Sequence, residues 1–231
     1  MTTEVNTLDW QTLKHDITTC RACPRLVAWR EQVAREKRRA YRDWDYWGKP
    51  VPGFGDPRAR VFIVGLAPGA HGANRIGRMF SGDSSGSTLY GSLHRTGFAN
   101  QPHASHRDDG LVLTDAFITA VARCAPPQNR PTAAELAACR PFLEREWALM
   151  PQIQVVVALG KMAFDGCLRL LPGPEQGHDL PRLKFGHGMH YPLDGLHLLA
   201  SYHPSRQNTQ TGRLTLDMLD DIFDQARALL K

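Results

Sequence analysis

The chain has 231 residues, is 42% hydrophobic and carries a formal net charge of +5 with a pI near 9.1. Those figures suit one α/β domain with a sizeable core over residues 1–231, since no Pro/Gly/Ser linker divides the chain. They exclude a membrane span, because no apolar run reaches the ~18–20 residues one requires. The N-terminus, MTTEVNTLDWQTLKHD, has no basic head followed by an apolar stretch, so a secretory leader is not expected. The expectation is a cytoplasmic protein with no membrane partner and a mild bias toward anionic ones.

In chain order, the first feature is the pair Cys20 and Cys23, a C-x2-C spacing. Overlapping it, residues 21–42 hold Arg21, Arg25, Arg30, Arg35, Lys37, Arg38, Arg39 and Arg42 against Glu31 and Glu36. This stretch reads equally as a face for nucleic-acid phosphate and as a solvated helix with paired charges. VFIVG (61–65) is the first buried strand. A long glycine-rich loop follows it to Asp83, and a helix is expected over 85–96. Residues 99–110 read as a surface loop, and FITAVAR (117–123) as a second strand. CAPPQNRPT leads to a helix over 132–149, opened by a capping box of Thr132 with Glu135 and expected to kink or split at Pro141.

IQVVVALG (153–160) is a third strand, followed by a helix in KMAFDGCLRLL. HLLASY (197–202) is a fourth strand, and an amphipathic helix closes the chain with Leu214, Met218, Ile222 and Leu229 near one face. Short apolar strands without alternation, separated by helices, predict a parallel sheet covered on both sides. In such sheets ligands bind beyond the carboxyl ends of the strands. The unusual polar loops after the first, second and fourth strands all fall at that rim.

The five cysteines are an odd count without a secretory signal, which argues against a disulfide framework. Cys20, Cys23, Cys124 and Cys139 supply two spaced pairs able to close one metal centre, and the spacing leaves zinc and an iron–sulfur cluster both open. Cys167 reads as a buried apolar residue. The glycine-rich loop matches neither the dinucleotide nor the P-loop pattern, but its bare amides allow close approach of a ligand. Phe80 reads in isolation as a core residue that is also placed to stack on a flat ligand. Asp83 reads first as a helix cap and second as a general base. His203, aimed by Pro204 at a strand's carboxyl end, is an even choice between structure and catalysis. His187 and His190 are read as ordinary loop histidines.

These pieces together resemble the family 5, or type B, uracil-DNA glycosylases of the iron–sulfur uracil-DNA glycosylase group. The matching segments are CRACPRLV (20–27), PVPGFGD (50–56), GLAPGAHGANRIGRMFSGD (65–83), VARCAPPQNRPT (121–132), VVALG (156–160) and LLASYHPSRQNTQTGR (198–213). The resemblance implies a three-layer α/β/α fold with a central, about four-stranded parallel sheet. It implies a four-iron, four-sulfur cluster on Cys20, Cys23, Cys124 and Cys139. It also implies a monomeric DNA-repair enzyme acting on damaged bases in double-stranded DNA.

The damaged nucleotide would be flipped into a pocket. There the Gly69, Ala70, His71 and Gly72 backbone approaches the base, and Phe80 stacks on it. His203 would hydrogen-bond the departing base. Asn129 would hold the water, with Asp83 polarising it or stabilising the cationic sugar. Pro204, Ser205, Arg206 and Gln207 would lie on the DNA, the last two filling the vacated stack. Ala70 stands where family 4 carries an acid, which implies a tolerant pocket accepting uracil, hypoxanthine and ethenocytosine. Ile76 stands where a small polar residue is usual, which bears on substrate preference. The rival reading is a non-catalytic iron–sulfur or zinc nucleic-acid-binding module, and a hydrolase of free nucleosides ranks last.

Overall fold

The computed structural model describes residues 7–171 and 183–231. Its sheet has six strands: β1 (Phe54–Gly55), β2 (Val61–Gly65), β3 (Ala116–Ala120), β4 (Val155–Leu159), β5 (His190–Leu193) and β6 (Leu196–Ser201), in the spatial order β1-β3-β2-β4-β6-β5. The inner four, β3, β2, β4 and β6, run parallel, as the apolar runs predict. Ile63 of β2 lies opposite Ile118 of β3 and Val157 of β4. Every residue of β2, β3 and β4 is buried. Two antiparallel edge strands, β1 and β5, complete the sheet. The sequence did not announce them: β1 is two residues long, and β5 contains Pro192, which an edge tolerates because no partner there needs its amide.

Side chains alternate between the two faces along each strand. Val61, Ile63, Ile118, Val155, Val157 and Leu199 pack with Leu89 and Leu93 of α4 (Ser84–Arg95) and with Leu219, Ile222 and Phe223 of α8 (Leu216–Ala228). On the opposite face Phe62, Val64, Phe117, Val156 and Leu198 pack with Leu143 of α5 (Ala133–Ala148) and with Ala163, Phe164 and Cys167 of α6 (Lys161–Leu168). Trp10 of α1 (Thr7–Thr19) joins this side, its ring 5.2 Å from Phe117. The result is three layers, helix–sheet–helix.

Pro141 does not split α5, which runs unbroken from Ala133 to Ala148. The ring removes one amide hydrogen bond, but the capping box at Thr132 and Glu135 and the buried Leu143 and Glu146 hold the helix on either side of it. The basic stretch also resolves into parts. α2 (Pro24–Glu36) ends before Arg38, and a single 3-10 turn covers Arg39–Tyr41. Arg21 pairs with Glu31 at 2.5 Å and Arg25 with Glu135 at 2.7 Å, whereas Arg30 is buried. Arg35, Arg38, Arg39 and Arg42 remain exposed.

An ion pair lies under the carboxyl end of β3. Arg123 and Glu146 are each 1% exposed and meet at 2.7 Å. Thr119 donates to Glu146 at 2.6 Å and accepts from Arg123, and the Gly53 amide donates to the other Glu146 oxygen at 3.2 Å. The pair thus joins β3, α5 and the segment entering β1. Removing one partner leaves a buried charge alone, at a cost of about 3–5 kcal/mol. Glu146→Ala is expected to lower unfolding stability by about that much in a urea titration. A loss below ~1 kcal/mol, the range of exposed ion pairs, would show that the site rehydrates instead.

Candidate active site

The carboxyl ends of the parallel strands continue into loops that stay paired. Gly65 and Leu66 carbonyls accept from the Val121 and Ala122 amides at 3.0 Å each, and the Gly160 amide donates to Ser201 at 2.8 Å. The loops after β2, β3, β4 and β6 therefore leave the sheet side by side, forming the rim that the sequence placed there.

The loop after β2 turns at Gly69, whose carbonyl accepts from Gly72 at 3.2 Å and from Asn74 at 3.0 Å. A short helix, α3 (Ala73–Ile76), follows, and the loop ends at Asp83, the N-cap of α4. One Asp83 oxygen accepts from the Gly86 amide at 2.9 Å. The other lies against the Gly69–Gly72 turn: a Cβ added at Gly69 would stand 2.7 Å from it, and one at Gly72 closer still. Asp83 is thus both a cap and a wall of the site. Burial raises its carboxyl above the ordinary value of 3.8, and the Gly86 and Ser85 amides and Arg75 only partly offset this.

Phe80 sits at φ +52°, a left-handed conformation that turns its ring toward the sheet end. Gly65 makes room for it, since a Cβ there would meet the ring at 2.6 Å. The His203 ring lies beside it with centroids 5.7 Å apart and planes 28° apart. A base sandwiched between two rings needs about 7 Å, twice the ~3.5 Å van der Waals contact. A flat ligand therefore reaches Phe80 beside His203 and not between the two rings. Burial pushes His203 down to about 4, so its imidazole is neutral at physiological pH. Its carbonyl accepts from the Ser205 amide at 2.7 Å and from Asn208 at 2.8 Å. Ser205 caps the short helix α7 (Arg206–Gln210), on which Arg206 and Gln207 are exposed beside the site.

Asn129 lies on a separate exposed turn, Pro127–Asn129, with Gln128 and Asn129 both at positive φ. Among the described residues no hydrogen bond joins its side chain to Asp83. His187 accepts from the Tyr202 amide at 3.2 Å, and His190 meets His197 at 3.1 Å, contacts that brace the β5 edge.

A strap from Arg38 to Pro50 crosses the glycine-rich loop, and reading the basic stretch for charge alone missed it. The Arg75 guanidinium lies between Tyr41 and Trp44, 3.9 and 4.1 Å from their ring centres. It also donates to the His71 carbonyl at 2.8 Å and the Gly82 carbonyl at 2.9 Å. Tyr46 meets His71 Nδ1 at 3.0 Å, and the Trp47 amide donates to Arg75 at 2.9 Å. The density of Tyr and Trp in AYRDWDYW was the available signal.

The four cysteines of the two spaced pairs meet. Cys20 follows α1, Cys23 caps α2, Cys124 follows β3 and Cys139 lies within α5, and all four line one cavity with Arg30 and Arg123. Arg30 donates to Cys124 Sγ at 2.8 Å, and the Arg123 amide donates to Cys139 Sγ at 3.2 Å. Burial raises Cys23 and Cys124 and pushes Cys139 up to about 12. Among the described residues no group of three or more His, Cys, Asp and Glu side chains is arranged to hold one metal ion. Four soft donors around one cavity, with N–H groups aimed at sulfur, are a set able to hold a thiolate-bound metal centre. Cys167 is buried in α6 away from this cavity.

A parallel sheet with a carboxylate, a neutral imidazole and an aromatic face at its carboxyl rim is the frame of a base-excising hydrolase. The chain belongs to the Uracil DNA glycosylase superfamily, whose family model matches residues 52–227. Within it the chain belongs with the type-5 enzymes. It is 50% identical over 223 residues to the type-5 uracil-DNA glycosylase of Thermus thermophilus, covering 96% of this chain and 99% of that protein. It is 54% identical over 215 residues to that of Mycobacterium bovis, covering 92% and 79%. A type-4 uracil-DNA glycosylase of Sulfurisphaera tokodaii is 35% identical over 120 residues, covering 51% of this chain and 47% of that one.

Two predictions follow from this geometry. Gly72→Ala would drive a Cβ into the Asp83 carboxylate and is expected to slow excision about 10²-fold, the loss that a small misplacement can cause. A wild-type rate would mean that the carboxylate position is immaterial. For His203, the folded value is depressed, so its share of stability is full above about 6.5 and is lost as pH falls through about 4. His203→Phe is expected to flatten that part of the pH–stability curve, read by thermal unfolding. An unchanged slope would place the uptake on other histidines.

Proposed function

We propose that the protein removes uracil from double-stranded DNA by hydrolysing the N-glycosidic bond, leaving an abasic site and an intact backbone. The observation that carries this is the placement of the half-buried Asp83 carboxylate against the bare Gly69–Gly72 turn, with Phe80 and His203 beside it. A flipped base would stack on Phe80 with its edge toward His203. The glycosidic bond breaks toward the base, which leaves as an anion while the sugar becomes cationic. Neutral His203 can donate a hydrogen bond to that anion, and a donor fixed in a dry site acts most strongly where charge develops. Asp83 would stabilise the cationic sugar and take a proton from the attacking water. Its raised carboxyl makes it the better base. Asn129 would close on the water from its own turn.

The pocket turn presents Ala70 where a side chain could otherwise select one base, so hypoxanthine and ethenocytosine are proposed as further substrates. Ser205, Arg206 and Gln207 would face the minor groove. Cys20, Cys23, Cys124 and Cys139 would hold an iron–sulfur cluster, which fixes α1, α2, α5 and the segment after β3 to one another; its chemistry here is structural. The names of the type-5 relatives support the uracil reading, and the four-cysteine cavity supports the cofactor.

The test is a single-turnover assay on an end-labelled duplex with a central uracil, scored with and without alkali. Product that appears only after alkali is expected. Asp83→Ala, Asn129→Ala and His203→Ala should each slow excision about 10²–10³-fold with little loss of DNA binding. Wild-type rates in all three would overturn the assigned roles. The acid limb of the wild-type pH–rate profile should lie above pH 3.8 and vanish in Asp83→Asn.

A further inference from the structure

Arg30 is 2% exposed and lies in α2, whose first residue follows Cys23. Its guanidinium donates to Cys124 Sγ at 2.8 Å and to the Cys20 carbonyl at 3.1 Å. The nearest carboxylate, Glu31, stands 3.9 Å away and is engaged by Arg21 at 2.5 Å. Arg30 Nε has no partner. A buried cation whose close contacts are a thiol and a carbonyl is costly in a neutral setting. It becomes favourable once the four sulfurs carry the negative charge of a metal-bound state.

The same residue reaches the base-binding turn by its backbone. The Arg30 carbonyl accepts from Asn74 Nδ2 at 3.3 Å, and Asn74 Nδ2 also lies 3.3 Å from the Ala70 carbonyl, which accepts from it. Asn74 is 0% exposed, its amide donates to Gly69 at 3.0 Å, and its carbonyl accepts from Gly48 of the strap at 3.0 Å. Asn74 therefore fastens α2, the strap and the pocket turn at one buried point.

We propose that Arg30 is the counter-charge of the group held by the four cysteines, and that Arg30 and Asn74 are the positioning pair that joins this group to the Gly69–Gly72 turn. The inference rests on the cofactor and base-pocket readings above. When the cysteines bind their cluster, Arg30 is locked between Cys124 and Cys20, α2 is fixed, and Asn74 holds the Ala70 carbonyl in register for the base.

The test uses holoprotein prepared without oxygen. Iron content and visible absorption of the wild type come first, because absence of iron there defeats the cofactor reading itself, and this proposal with it. With iron present, Arg30→Met is expected to lose its visible absorption to a chelator about 10- to 100-fold faster and to shift the reduction potential negative, since a nearby positive charge favours the reduced cluster. Arg30→Lys keeps the charge and is expected to fold, to hold the wild-type potential and still to lose the cluster faster. If Arg30→Met fails to fold, Arg30→Gln, which removes the charge but keeps an N–H donor, is measured in its place. A wild-type chelation rate and a wild-type potential in the folded uncharged variant would overturn the counter-charge while leaving the cofactor reading intact.

The link to the turn is read by binding, not turnover, with a duplex carrying 2′-fluoro-2′-deoxyuridine, whose fluorine disfavours the cationic sugar. In a double-mutant cycle of Arg30→Lys and Asn74→Leu, the change in Kd is expected to differ from the product of the single changes by more than about 2-fold. Additive effects would overturn the coupling.

Discussion

The site depends on one carboxylate being asked to open a helix and to face a backbone at once. Asp83 caps α4 through the Gly86 amide, and the same side chain presses its second oxygen into the Gly69–Gly72 turn. The first contact fixes where α4 begins, and α4 is packed on the sheet through Leu89 and Leu93. The second fixes where the glycine-rich loop can lie. The carboxylate is thereby referenced to the core by a helix instead of hanging on a free loop, and precise positioning is what the proposed chemistry requires. Burial that raises its carboxyl is the cost of that position and also the source of its basicity.

Around this point the molecule uses buried polar groups as fasteners between elements that carry the site. Arg123 and Glu146 tie the end of β3 to α5, and Arg30 and Asn74 tie α2 to the loop after β2. The two fasteners meet at the cysteine cavity, where Arg123 and Arg30 both present N–H groups to sulfur. Segments far apart in sequence are therefore registered against one another by charge and hydrogen bonding as well as by apolar packing. Such groups stabilise only when every partner is in place.

The parallel core was legible because β2, β3, β4 and β6 are covered on both faces and so read as unbroken apolar runs. The edges were not, because β1 is too short to show a pattern and Pro192 disguises β5. Proline did not split α5, where Pro141 is carried inside a helix secured on both sides of it. In the candidate site, the unusual polar loops at the strand ends marked the rim, while the roles proposed for Asp83, Phe80 and His203 came from the family resemblance, since alone Asp83 reads as a helix cap and Phe80 as a core residue. Arg30 and Asn74 did not stand out, since an arginine in a basic helix and an asparagine in a glycine-rich loop carry no mark of burial. The strap was hidden for a related reason: its charges drew the eye, while its aromatic residues form the contacts.

That strap has a bearing on how the protein meets a polyanion. Binding to DNA phosphates weakens steeply as salt rises, because cations displaced from the duplex must return. Arg75, which holds the strap to the loop, is gripped by two aromatic faces and two carbonyls, contacts largely sheltered from dissolved ions. Salt can therefore release the nucleic acid without loosening the receptor. Grip on the strand and shape of the pocket are governed by separate forces, so an ionic medium that tunes one leaves the other intact.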